Sequence, residues 1–76
     1  MNKTNNFNLT QREEEVLKLL LKGHSNTKIA KMLSISIHTV KAHVESIYRK
    51  FGVHNKVQAA IFTVVNQVIN VNTIES

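Results

Sequence analysis

The chain has 76 residues, no cysteine and a formal net charge of +5. A chain this short forms one domain, and without thiols it has neither a disulfide framework nor a thiolate metal site. No apolar run approaches the roughly 18 residues of a membrane span, and the polar, Asn-rich start lacks a signal-peptide core, so a cytoplasmic protein without a membrane partner is expected.

The periodicity predicts an all-α domain of four helices. There is no proline, and the only glycines, Gly23 and Gly52, each follow a run of helical spacing, where a C-terminal stop belongs. Residues 1–8 read as a flexible arm, 9–71 as the domain and 72–76 as a flexible tail. The first helix begins at Thr10, which forms a capping box with Glu13. Glu13, Glu14 and Glu15 crowd its first turns, where the helix dipole favours negative charge. Val16, Leu17, Leu20 and Leu21 form its apolar stripe.

The second helix is short. Ser25 is its N-cap, Ile29, Leu33 and Met32 face inward, and Ala30 permits close approach of a neighbour. A turn of Ser34, Ile35 and Ser36 follows, with Ile35 plugging the core. Ser36 caps the third helix, expected at about 37–51 and ended by Gly52. Its apolar stripe is Val40, Val44, Ile47, Tyr48 and Phe51. The fourth helix follows Asn55 and is expected to reach about Asn70, with Val57, Ala60, Ile61, Val64, Val65, Val68 and Ile69 as its stripe. Ala59, Phe62 and Val71 add apolar surface outside that stripe.

Two short helices joined by a tight turn form a helix-turn-helix, whose second helix fits the major groove of B-DNA. The charge agrees with that reading. Segment 25–56 carries Lys28, Lys31, Lys41, Arg49, Lys50 and Lys56 against Glu45 alone, so the whole excess lies on this unit.

The motifs also resemble a known family. They are the run from Leu9 to Leu17, then Lys22-Gly23-His24-Ser25-Asn26, Ile29-Ala30, Thr39-Val40-Lys41, His43-Val44, Tyr48 to Val53, and Gln58-Ala59-Ala60. In this order and spacing they resemble the LuxR-type (GerE-like, FixJ/NarL-like) DNA-binding domain over roughly residues 8 to 70. The resemblance implies a third helix that reads DNA and a fourth that commonly pairs two copies. Family members usually carry this domain behind a receiver or ligand-binding domain. The start at Met1 leads us to expect a free-standing regulator. Two positions depart from the family pattern. Ser34 stands where glycine is frequent, and Glu45 where a neutral or basic residue is frequent.

The expected DNA base contacts are Lys41, Ala42, Glu45 and Thr39. A lysine donates to guanine O6 and N7, and a glutamate accepts from a cytosine amino group. Lys41 also matches the base-contacting lysine of the family. The expected phosphate contacts are Ser25, Asn26, Thr27, Lys28, Ser36, His38, Thr39, His43, Arg49, Lys50 and Lys56, with Lys31 nearby. The amides at the helix starts near Ser25 and Ser36 are further phosphate donors. Val64, Val65, Val68, Ile69 and Val71 are the expected homodimer surface.

The four histidines lack metal-ligand spacing, and no nucleophile, acid pair or metal set suggests an enzyme. No cofactor or small-molecule ligand is expected. The competing reading is a helical module that binds RNA polymerase or another regulator, which leaves the placement of the excess charge unexplained.

Overall fold

The computed structural model describes residues 7–69. Four helices follow in order: α1 Gln11–Leu21, α2 Asn26–Leu33, α3 Ile37–Phe51 and α4 Lys56–Asn66. Among the described residues there is no strand, and no helix is long and apolar enough to cross a membrane. Residues 1–6 of the expected arm, Val71 and the tail 72–76 lie outside the described residues.

Each helix starts where a side chain satisfies an open backbone amide. Thr10 Oγ1 accepts from the Glu13 amide, and the Glu13 carboxylate accepts from the Thr10 amide, which completes the capping box. Ser25, Ser36 and Asn55 accept in the same way from Lys28, Thr39 and Gln58. Each such cap stabilises a helix start by about 1 kcal/mol.

The helix stops are less uniform. Gly52 ends α3 in the left-handed region at φ 72°. Ser34 ends α2 in the same region, at φ 58° and ψ 43°, and the Ile35 amide donates to the Ala30 carbonyl. That geometry makes the tight turn between α2 and α3, at a cost on the order of 1 kcal/mol for a side chain with a Cβ. Gln67 ends α4 at φ 53°, earlier than the expected stop near Asn70. The Val68 amide then donates to the Thr63 carbonyl, and Val68 and Ile69 turn into the core. Their burial favours closing the helix at Asn66 over extending it.

The core is built from Leu9, Val16, Leu17, Leu20, Ile29, Ala30, Val40, Val44, Ile47, Phe51, Ala59, Val68 and Ile69. Ile35 packs against it from the turn. Met32 does not; it is 46% exposed, so the inward face of α2 is narrower than the apolar pattern suggested. Phe7, assigned by sequence to the flexible arm, packs edge-on against both Phe51 and Phe62. The first described residues therefore belong to the domain.

Candidate nucleic-acid interface

The core stripe of α3 fixes what the helix shows to solvent. Val40, Val44, Ile47 and Phe51 are buried. His38, Ala42, Glu45 and Arg49, which follow one another at helical spacing, are exposed on the side away from that stripe. Lys41 is exposed on the flank of the same surface. Among the described residues, ion pairs involve only Arg12 with Glu15 and Lys50 with Glu13. Lys41, Glu45 and Arg49 are therefore held by no internal partner charge and remain open to an external one.

Thr39 is also exposed, but its hydroxyl lies 2.9 Å from Ser36 Oγ. The Ser25 and Ser36 hydroxyl oxygens each accept the backbone amide three residues on. The remaining open amides at these helix starts suit an anion. Thr27, Lys28 and Lys31 are exposed along α2, Asn26 and His43 are half-buried, and Lys56 is exposed at the start of α4. The structure thus gathers most of the expected contact residues on the helix-turn-helix and its edges.

Lys50 is different. Its ammonium donates to Glu13 Oε1 at 2.7 Å and to the Asn8 carbonyl at 2.8 Å. Two of its three donors are spent inside the domain, which sets it apart from the other basic residues of the helix-turn-helix. Glu13 is 5% exposed and takes a further bond from Ser46 Oγ at 2.6 Å to Oε2. Burial pushes the Glu13 carboxyl up. The hydrogen bonds from Lys50, Ser46 and the Thr10 amide, with the Lys50 charge, outweigh it and hold the carboxyl at about 2.

The inner face of the fourth helix is built on residues read from sequence as lying outside its apolar stripe. Ala59 and Thr63 are buried, and Phe62 packs on the core. Thr63 satisfies its buried hydroxyl by donating to the Ala59 carbonyl at 2.7 Å. Val57, Ile61, Val64 and Val65 stand outward at 67%, 57%, 57% and 71% exposure. Of the five expected dimer residues, Val64 and Val65 are on this outer face. Val68 and Ile69 are buried in the chain's own core, which leaves them little surface for a partner.

Comparison with known proteins identifies this arrangement. The family model for bacterial regulatory proteins of the luxR family matches residues 7–63. The chain belongs to the luxR family. It is 49% identical over 53 residues to YhjB of Escherichia coli strain K12, which carries the name of an HTH-type transcriptional regulator. It is 48% identical over 54 residues to the response regulator protein VraR of Staphylococcus aureus strain NCTC 8325. These matches cover 70% and 71% of this chain but 26% of each relative. The chain thus spans about a quarter of the length of these relatives.

The fold of the response regulator ChrA, from a heme-sensing two-component system, overlays with a TM-score of 0.77 at 36% identity. That match covers 91% of this chain and 32% of that one. The luxR family consists of DNA-binding transcription regulators rather than enzymes, and this chain matches its helix-turn-helix domain.

Sequence reasoning missed the second role of Glu13. The capping box was readable because Thr10 and Glu13 are close in sequence. The bonds from Ser46 and Lys50 join residues 33 and 37 positions away, which no local pattern reveals. Nothing local in the sequence marks Glu13 out from Glu14 and Glu15 beyond its place in the capping box.

Proposed function

We propose that this domain binds duplex DNA in a sequence-specific manner as a twofold dimer, with α3 in the major groove and α2 crossing the backbone. The observation that carries the reading is the unpaired, exposed set Lys41, Glu45 and Arg49 on the face of α3 away from the core. Lys41 and Glu45 are the base readers, with Ala42 offering its methyl to thymine and Thr39 at the rim. Thr27, Lys28, Lys31, His38, Arg49 and Lys56, with the helix-start amides near Ser25 and Ser36, bind phosphates and fix the register.

The apolar outer face of α4 supports the dimer. Four large aliphatic side chains on one helical face are costly to leave in water, and a second copy of the same face covers them symmetrically. Val57, Ile61, Val64 and Val65 form the contact in this proposal. Such a dimer reads two half-sites about one turn of DNA, roughly 34 Å, apart.

The test is selection of the purified chain on a pool of randomised duplexes at near-physiological salt. Recovery of an inverted repeat is the expected result, and a direct repeat would rule out the twofold pairing. Binding that enriches no sequence and vanishes steeply with salt would show phosphate attraction only. The module that binds RNA polymerase or another regulator would then be the better reading.

A further inference from the structure

The Glu13 site is more elaborate than a helix cap requires. One buried carboxylate receives four elements of the chain: the Thr10 amide at the start of α1, Ser46 and Lys50 on α3, and, through the shared Lys50 ammonium, the Asn8 carbonyl. Asn8 holds a left-handed backbone, at φ 60°, in the turn that brings its carbonyl to Lys50. Ser46 and Lys50 lie one helical turn apart on a single flank of α3. Apolar packing is non-directional and permits small rolls of a helix about its axis. Two directional bonds one turn apart restrict that roll. The same bonds keep a lysine beside the exposed Arg49 from reaching outward.

We infer that Glu13 is a positioning and specificity residue of the DNA-binding surface, holding Ser46 and Lys50 so that α3 keeps one roll and the Lys50 ammonium is withheld from phosphate. This rests on the DNA-binding reading above. Lysine contacts to phosphate add affinity without discrimination. Withholding one lowers the sequence-independent term and leaves the sequence-dependent term to the exposed face of α3.

The test compares Glu13→Gln, Glu14→Gln, Lys50→Gln and the unaltered chain on two duplexes: the one recovered by selection and a scrambled one of equal length. Glutamine at 13 still serves the capping box but lacks the charge that holds the ammonium in an ion pair. Glu14→Gln removes the same charge from the same turn and frees no lysine. Glu13→Gln is expected to tighten binding to the scrambled duplex and to steepen the log–log salt slope by about 0.9, the contribution of one phosphate. Its preference for the selected duplex is expected to fall by about tenfold, the size of one modest base-contact loss. Lys50→Gln is expected to leave the slope unchanged.

Three results would overturn the inference. They are a salt slope in Glu13→Gln that matches the unaltered chain, an equal change in Glu14→Gln, or a slope that flattens by one phosphate in Lys50→Gln. If Glu13→Gln does not fold, as judged by circular dichroism, the Lys50→Gln slope decides. Failure of the unaltered chain to prefer any duplex sinks the DNA-binding reading itself and is recognised before any variant is measured.

Discussion

The Phe51 and Phe62 rings stack with centroids 4.3 Å apart and planes inclined by 17°. Phe51 is the last residue of α3 and Phe62 lies midway along α4, so this stack sets which side of α4 faces inward. Phe7 closes against both rings edge-on, at 5.9 Å and 5.0 Å. With Phe62 inside, the aliphatic row Val57, Ile61, Val64 and Val65 has no place but the surface.

That orientation gives the first prediction. Ile61→Lys or Val65→Lys places a charge in the proposed twofold contact while touching nothing in the core. Each variant is expected to sediment as a monomer at concentrations where the unaltered chain dimerises. Its thermal midpoint at low protein concentration should shift little, since surface changes usually stay within about 0.5 kcal/mol. A monomeric unaltered chain, or a variant that still dimerises, would remove α4 from the interface.

Ser34 supplies the second. It is exposed and sits in the left-handed region without being glycine. Ser34→Gly relieves the Cβ conflict there and is expected to stabilise the domain by about 0.5–1 kcal/mol in urea unfolding. A neutral or destabilising result would mean that the serine side chain contributes something the strain argument omits.

Acid sensitivity is the third. The folded Glu13 carboxyl titrates at about 2, below its ordinary 4.5. Its contribution to stability is therefore fully present above pH 4.5. It declines as pH falls toward 2, because the unfolded chain takes up the proton first. The shift corresponds to roughly 3 kcal/mol as an order of magnitude. Glu13→Gln is expected to be less stable at neutral pH and flatter between pH 4.5 and 2 in urea titrations. Parallel curves for the two chains would show that this carboxyl does not control the acid transition.

Lys41 is the subject of the fourth. It is exposed on the flank of α3 and belongs to neither ion pair among the described residues, so it is open to a base edge. Lys41→Ala is expected to weaken binding to the selected duplex by about 1–3 kcal/mol and to relax preference at one base position. Uniform weakening across all sequences would instead make it a phosphate contact.

The helix count, the four N-caps, the capping box, the Gly52 stop and the basic helix-turn-helix were legible in the sequence. Each rests on residues a few positions apart, where backbone geometry and side-chain reach decide the outcome locally. The exposed face of α3 was legible for the same reason, because one strong stripe dictates its opposite.

The fourth helix was not legible in this way, because it is apolar on most of its circumference and either side satisfies the pattern. Only the stack of Phe62 on Phe51 and the burial of Ala59 and Thr63 chose the inner face. The same packing drew Val68 and Ile69 inward and ended the helix at Asn66 without a glycine. Tertiary contact likewise paired Lys50 with Glu13. Local chemistry fixes where helices begin and which faces are polar. The choice among equally apolar faces, and the pairing of charges far apart in the chain, depends on which surfaces the packed core brings together.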